Sequence, residues 1–120
     1  MSAKPWLDGL FAAIDRQDAD AFAGFLAEDA AFRFGNLPVV EGRHAIREFV
    51  AGFFQSIRGV SHSVLESWQA GDALVCRGEV TYTRHDGSTL SVPFANIFKL
   101  AGERVRDYLI YVDASALYSP

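Results

Sequence analysis

The segment from Phe25 to Phe54, FLAEDAAFRFGNLPVVEGRHAIREFVAGFF, most constrains how this chain can fold. Acidic residues end a helix, a short apolar run follows, and an irregular loop leads into a second, strongly amphipathic helix. Apolar residues recur in that helix at i, i+3, i+4, i+7, i+8 and i+11, namely Ile46, Phe49, Val50, Phe53, Phe54 and Ile57. Four strand-like runs come afterwards. This order predicts helices that cover a curved sheet, with a pocket between them.

Similar patterns predict the other elements. Pro5 suits the first turn of a helix, and Asp18 is a natural N-cap for the next one. The predicted helices are Pro5–Gln17, Ala19–Ala27 and Arg43–Ile57, and the predicted strands are Ala31–Phe34, Val60–Gln69, Ala73–Arg84, Thr89–Leu100 and Arg104–Asp113. Short turns at Gly71, Gly87 and Gly102 predict that the last four strands form an antiparallel meander. Helices first and strands later indicate one α+β domain over residues 1–120.

Composition excludes several classes of function. The chain has 120 residues and a net charge of −4, without the basic clusters that nucleic-acid binding requires. Cys76 is the single cysteine, so we expect no disulfide, no cysteine-based zinc site and a reducing, cytoplasmic location. No apolar run approaches the ~18 residues of a membrane span. Three scattered histidines give no metal-ligand spacing, so we expect neither a metal nor a cofactor.

Several short motifs, in their order along the chain, resemble one family. They are Asp18-Ala-Asp20, LAEDA from Leu26, EGRHAI from Glu41, GEVTY from Gly78, and YLIYVD from Tyr108 with a final Leu117-Tyr118. This order is similar to the nuclear transport factor 2-like superfamily, and especially to its SnoaL-like branch. The resemblance implies a cone-shaped, curved antiparallel sheet wrapped around three N-terminal helices, a cystatin-like α+β barrel. It also implies a homodimer formed through the outer sheet face.

The family includes ketosteroid isomerases, polyketide cyclases, limonene-type epoxide hydrolases and binding modules without activity. Fold alone therefore leaves the function open. In the epoxide hydrolases, an arginine and an acid two residues later belong to the catalytic set. Arg77 and Glu79 match those two positions, although Ile110 stands where the set needs a second acid.

The strand Ala73–Arg84 allows two orientations, because alternate residues point to opposite faces. In one, its polar row lines the pocket, and Glu79 acts as a base whose pKa Arg77 lowers. In the other, the polar row faces water and the apolar row lies inside. The sequence leaves both orientations open.

The isomerase resemblance is weaker, because Phe34 and Leu10 stand where a carboxylate base and an oxyanion-binding tyrosine belong. Asn96 stands at the second oxyanion donor, and its amide can either hold a ligand carbonyl or satisfy backbone groups. Tyr108 is a candidate donor to a ligand, with core packing as the alternative.

His62 is the candidate histidine, because an inward-facing His close to Glu79 would form an acid–base pair. SnoaL-like cyclases resemble this arrangement, since they use His and Asp for proton transfer. The alternative is a histidine near the rim with no chemical role. His44 and His85 are expected at the surface.

The predicted pocket is mostly apolar, which suits a small hydrophobic molecule with one or two oxygens. Its expected walls are aromatic and aliphatic: Trp6, Leu10, Phe34, Phe49, Phe53, Trp68, Phe94 and Phe98. We expect a cofactor-free isomerase, cyclase or lyase with His62, Arg77 and Glu79 as its catalytic groups. The alternative is a ligand-binding or dimeric interaction domain without turnover.

Overall fold

Three helices lie against one face of a six-stranded sheet. The computed structural model describes residues 3–118. The elements in chain order are α1 (Ala3–Asp15), α2 (Ala19–Ala23), β1 (Leu26–Phe34), β2 (Val40–Glu41), α3 (Arg43–Gln55), β3 (Gly59–Ala70), β4 (Ala73–Thr83), β5 (Thr89–Ala101) and β6 (Arg104–Val112). Asp18 caps α2 as its type predicts, because its carboxylate accepts a hydrogen bond of 3.0 Å from the backbone N–H of Ala21.

The sheet has the strand order β2-β1-β6-β5-β4-β3. Strands β3 to β6 form the antiparallel meander that the short turns predict. Strand β1 pairs in parallel with β6, so the sheet is mixed rather than wholly antiparallel, and it stays open. The predicted α+β architecture is confirmed, with a curved sheet that wraps around the helices without closing into a barrel.

The second helix is shorter and the first strand longer than the sequence predicts. The helix stops at Ala23, and β1 begins at Leu26 instead of residue 31. Leu26 pairs with Val105 of β6 and is fully buried, as is Ala30. Pairing with β6 therefore overrides the helical preference of the Ala-rich segment. The sequence does not predict the two-residue strand β2.

Strand β4 places its apolar row inside, with Leu74, Cys76, Val80 and Tyr82 all buried. Gly78 belongs to the same row, and a Cβ atom there would lie 1.9 Å from the carbonyl oxygen of Ser63. The strand pairing shifts register nearby, between Val64 and Glu66, which is a β-bulge. The close approach of β3 at this bulge therefore requires a glycine.

Within residues 3–118, no helix is both long enough and apolar enough to cross a membrane. The cytoplasmic location expected from the sequence stays a prediction.

Candidate functional site

A histidine–aspartate pair joins α1 to β3 at one end of the helical layer. The Nδ1 atom of His62 lies 2.6 Å from Oδ1 of Asp15, and the backbone N–H of His62 donates to Oδ2 at 3.0 Å. A carboxylate can only accept, so Nδ1 carries the proton in this contact. Neutral imidazole then has its lone pair on Nε2, which is the atom left to meet a ligand.

Two phenylalanines hold the His62 ring in place. The ring of Phe11 lies 4.7 Å from it in a tilted stack, and Phe94 meets it edge-on at 5.2 Å. The side chain of His62 is 12% exposed and that of Asp15 is 29% exposed. Both residues also line a solvent-side cleft between α1 and β3. The pair is therefore oriented by packing, while its carboxylate keeps contact with water.

His62 also lines a small cavity between the sheet and the helices. The cavity volume is about 50 Å³, room for a few water molecules. The other residues in its lining with polar side-chain atoms are Asn96, Tyr82 and Tyr108. The remaining walls are apolar: Ile14, Phe22, Phe32, Phe34, Val50, Phe53, Phe54, Val60, Val80, Phe94, Ile110 and Val112. We call this space the inner cavity.

Asn96 carries an unsatisfied acceptor in the inner cavity. The residue is 2% exposed, and its Oδ1 has no hydrogen-bond partner among residues 3–118. A buried amide oxygen without a donor costs free energy, typically about 1–3 kcal/mol. The sequence leaves two roles open for Asn96, and this oxygen does not fill one of them, because it accepts no hydrogen bond from the backbone of residues 3–118. It is free to accept a hydrogen bond from a ligand or a water molecule.

Burial keeps the inner hydroxyls and the thiol protonated. It raises the pKa of Tyr108 well above 10.0, and it raises the pKa of Tyr82 to about 12. Burial likewise raises the pKa of the Cys76 thiol to about 12, although a backbone hydrogen bond at Asn96 works against this. The phenols can therefore donate hydrogen bonds at neutral pH, and the thiol is an unreactive core group.

A larger, open groove lies outside the inner cavity. It has a volume of about 950 Å³ and runs between β1, α3 and the segment after β6. Phe34, Phe53 and Val112 line both spaces, and the two rings lie 5.4 Å apart. Phe49, Tyr111 and Tyr118 add aromatic surface, and Tyr118 shares a hydrogen bond of 2.8 Å with Ser56. We call this space the outer groove and the ring pair the Phe34–Phe53 constriction.

Of the two orientations that the sequence leaves open for β4, the structure has the one in which Arg77 and Glu79 face outward, so the expectation that they are catalytic groups in the pocket is not met. Both side chains are exposed on the outer sheet face, because the apolar row of β4 is the one that packs against the helices. Arg77 donates to the carboxylate of Glu66 on β3 at 2.7 Å, rather than to Glu79. Neither residue can therefore reach the inner cavity, and the expected pairing of His62 with Glu79 does not occur.

Four expected pocket walls also lie elsewhere. Leu10 and Phe98 are fully buried in the core. Trp6 packs edge-on against Phe98 at 5.4 Å and donates its indole N–H to the carbonyl of Glu103. Trp68 is 51% exposed, because it follows the β-bulge that moves its side chain to the outer face.

The other expected positions do meet at the cavities. Phe34, Phe53, Phe94, Asn96 and Tyr108 line the inner cavity, and Phe49 lines the outer groove. Ile110 faces the inner cavity too, so the position of the second epoxide-hydrolase acid is apolar. Among residues 3–118, no cluster of His, Cys, Asp or Glu could hold a metal ion.

Asp15 belongs to the candidate site, although the sequence patterns do not predict it. It is the last residue of α1, and it meets His62 only because α1 crosses β3. The sequence feature that could have indicated it is the position of Asp15 directly after Ile14, at the end of the apolar face of α1. Tyr82 was missed as well, although it belongs to the same inward row as Val80.

Comparisons with known proteins agree with this fold. A family model described as SnoaL-like domain matches residues 7–108. No curated protein matches the chain by sequence. Solved structures match over most of their length, at identities that show the fold alone.

Three of these structures illustrate the range of proteins that share the fold. A protein with a ketosteroid isomerase-like fold from Catenulispora acidiphila, solved with trimethylamine, is 18% identical, covers 92% of this chain and 86% of its own, and has a TM-score of 0.84. A proposed polyketide cyclase from Xanthomonas campestris is 21% identical. The match covers 96% of this chain and 93% of the cyclase, with a TM-score of 0.83. An LEH-like epoxide hydrolase from M. tuberculosis is 13% identical, and the match covers 92% of this chain and 82% of the hydrolase, with a TM-score of 0.79.

Proposed function

The chain belongs to the SnoaL-like domain family, and on that basis we propose that it is a cofactor-free acid–base enzyme acting on a small hydrophobic, oxygenated molecule. His62 is the proton-transfer group, and Asp15 holds it in position. The reaction class is an isomerisation, cyclisation or elimination, which one base can start and the same group, once protonated, can complete.

One observation carries this proposal: His62 is anchored by Asp15 on one side and lines the inner cavity on the other. With Nδ1–H donated to the carboxylate, Nε2 can take a proton from a carbon next to a carbonyl. The carboxylate then stabilises the imidazolium that forms. The apolar walls exclude water, which strengthens these interactions during the reaction.

Deuterium exchange tests this function without knowledge of the product. A panel of small hydrophobic ketones and enones is incubated with the protein in D₂O, and label at the carbon next to the carbonyl is measured by NMR. We expect His62→Gln to abolish protein-dependent exchange and Asp15→Asn to reduce it about 10–100-fold, since it only orients the base. Glu79→Gln is the matched control, a carboxylate on the outer face. Exchange that survives in His62→Gln contradicts the proposal.

A ligand-binding domain without turnover is the second candidate function. The small volume of the inner cavity, about 50 Å³, favours it. A whole substrate does not fit there beside His62, so a ligand held outside the inner cavity would not reach the proposed base. This candidate predicts that panel compounds bind, as seen by chemical shift changes, and that none gains deuterium. The limonene-type hydrolase reaction is disfavoured, because Arg77 and Glu79 lie outside and Ile110 occupies the third position.

We further propose a homodimer formed through the outer sheet face. An apolar row crosses four strands in register, from Trp68 to Val75, Ile97 and Leu109. Trp68 is 51% exposed, and Tyr111 next to the row is 56% exposed. Burying such a row against a second copy removes apolar surface from water.

Sedimentation velocity tests this dimer. We expect the unaltered chain to be a dimer and Trp68→Lys to be a monomer. Leu37→Lys changes an exposed apolar site beside the outer groove, and it should leave the dimer intact. A monomeric unaltered chain contradicts the proposal.

A further inference from the structure

The outer groove carries a negative charge in its wall. Asp113 lines it, and within residues 3–118 no Lys, Arg or His does. Hydrogen bonds from the hydroxyl and from the backbone N–H of Ser115 hold the pKa of Asp113 below its usual value. The carboxylate is therefore ionised at neutral pH, and no cation among the described residues pairs with it.

Two hydroxyl groups in the groove wall are left as acceptors. The hydroxyl of Ser56 donates to the carbonyl of Phe53 at 2.6 Å. A hydroxyl has one proton, so Tyr118 is the donor in its own contact with Ser56, at 2.8 Å. Both oxygens keep lone pairs for a ligand and have no proton to give. The wall is therefore rich in acceptors, and Asn36 and Tyr111 are exposed residues in it that can still donate.

Aromatic rings are a second feature that favours a cation. The rings that line the groove are those of Phe34, Phe49, Phe53, Tyr111 and Tyr118. The face of an aromatic ring carries negative charge density and attracts ammonium groups. The groove volume of about 950 Å³ also leaves room for the apolar body of such a ligand.

Two arginines bind the backbone of these walls without lining the groove. Arg33 donates to the carbonyl of Leu37 at 3.1 Å, and Arg84 donates to the carbonyl of Leu117 at 2.9 Å. Their charges oppose a cation at longer range. Selectivity must therefore come from direct contact with Asp113 and the rings, where distances are short and salt screens least.

From these features we infer that the outer groove binds an organic ammonium ion, a protonated primary amine on a small apolar body. The ammonium group donates to the carboxylate of Asp113 and to the hydroxyl oxygen of Tyr118. The apolar body packs against the rings of Phe34 and Phe53. This inference goes beyond the proposed function and does not depend on it, because the site lies outside the inner cavity and does not use His62.

Probes of one shape and different charge test the inference on the unaltered protein. They are 2-phenylethylammonium, the neutral 2-phenylethanol and the anion 3-phenylpropionate. The amine is protonated at pH 7, like a lysine with its pKa of about 10.4. Affinities and binding positions come from NMR titration of the backbone amides. We expect the ammonium ion to bind about tenfold more tightly than the alcohol, and the anion to bind most weakly.

Two results overturn the inference. One is an ammonium ion that binds no more tightly than the alcohol or the anion. The other is a set of shifted amides centred on the cleft between α1 and β3, whose wall carries Asp8 and Glu66, instead of on the outer groove.

Asp113→Asn removes the charge and keeps an oxygen that can accept from Ser115. It should bind 2-phenylethylammonium and 2-phenylethanol equally. Asp86→Asn is the matched control, because Asp86 accepts from the backbone N–H of Ser88 at 2.9 Å and from its hydroxyl at 2.6 Å, in the same kind of turn outside the groove. This control should keep the tenfold preference.

Salt gives a second measurement on the unaltered chain, which decides if Asp113→Asn does not fold. Raising the salt from about 20 mM to about 500 mM should reduce the preference for the ammonium ion severalfold, because the carboxylate is exposed. A preference that salt leaves unchanged overturns the inference.

Deuterium exchange separates this inference from the proposed function. His62→Gln should lose exchange and keep the preference for 2-phenylethylammonium. A chain that exchanges label in ketones without preferring the ammonium ion refutes the cation site and leaves the enzyme standing. A chain that prefers the ammonium ion and exchanges nothing refutes the enzyme and leaves the cation site standing.

Discussion

The imidazole of His62 is held 2.6 Å from the carboxylate of Asp15, although 47 residues separate them in the chain. The backbone N–H of His62 binds the other oxygen of the same carboxylate. The contact therefore ties the end of α1 to the first long strand of the meander. It serves the fold and the candidate chemistry together, because it fixes both the position of β3 and the tautomer of the ring.

Asp15→Asn should weaken the fold modestly. The substitution replaces two hydrogen bonds to a charged oxygen pair, each of a kind that contributes ~1.5–3 kcal/mol when buried, and partial exposure lowers that value. We expect the free energy of unfolding in urea to fall by about 1–2 kcal/mol. The ¹⁵N signals of His62 should also shift, because the proton is no longer confined to Nδ1.

Asp8→Asn is the matched control on the same helix. Asp8 pairs with Lys4 at 3.1 Å, and both side chains are largely exposed. Exposed pairs contribute little, so this variant should unfold like the unaltered chain. Equal stability of the two variants would show that the contact between Asp15 and His62 does not hold α1 to β3.

Gly78→Ala should be among the most damaging single-methyl additions. The new Cβ would lie 1.9 Å from the carbonyl oxygen of Ser63 and 3.0 Å from the Cα of Val64, so β3 must move. Overpacking of this kind costs about 1–3 kcal/mol, and backbone atoms cannot yield as a flexible side chain does. Chemical denaturation measures the loss. Disturbance of the bulge should also weaken the contact of His62 with Asp15.

Gly52→Ala gives the opposite expectation on α3. A Cβ there has no heavy atom within 4 Å, and alanine is the better helix former. The variant should be more stable by up to about 1 kcal/mol. If Gly78→Ala and Gly52→Ala shift the urea midpoint in the same direction, the space around each glycine does not govern the stability of the variants.

Stability should fall in alkali because of the buried phenols. Burial raises the pKa of Tyr108 well above 10.0, so an unfolded chain releases this proton at a lower pH than the folded chain does. The contribution is therefore complete below pH 10 and is lost as pH rises through the folded pKa. Tyr82, with its pKa raised to about 12, adds to the loss over pH 10–12.

Tyr108→Phe should flatten this decline. One such group changes the free energy of unfolding by up to ~1.4 kcal/mol per pH unit. We expect the slope between pH 10 and 12 to be shallower by about that amount in the variant. Tyr111→Phe, an exposed phenol on the same strand, should keep the original slope. Identical slopes for the unaltered chain and Tyr108→Phe would contradict burial of the Tyr108 hydroxyl.

The sequence predicts the elements better than the site, for physical reasons. The spacing from Ile46 to Ile57 locates α3, and the turn glycines predict the meander, because both signals are local. The parallel pairing of β1 with β6 depends on contacts about 80 residues apart, which no local pattern records. The alternation in β4 shows two faces without stating which one meets the helices, so the sequence cannot decide whether Arg77 and Glu79 face the pocket.

Arg84 should control how firmly the segment after β6 closes one side of the outer groove. Its guanidinium donates to the backbone carbonyls of Leu117 at 2.9 Å and Ala116 at 3.0 Å, and Leu117 is buried beneath. Arg84→Ala removes both bonds, whereas Tyr118→Phe removes only the exposed hydroxyl contact to Ser56.

We expect hydrogen exchange at residues 114–118 to accelerate about tenfold or more in Arg84→Ala, since charged donors contribute ~1.5–3 kcal/mol each when buried. Tyr118→Phe should change exchange far less. Unchanged exchange in Arg84→Ala would show that burial of Leu117 alone holds the segment in place.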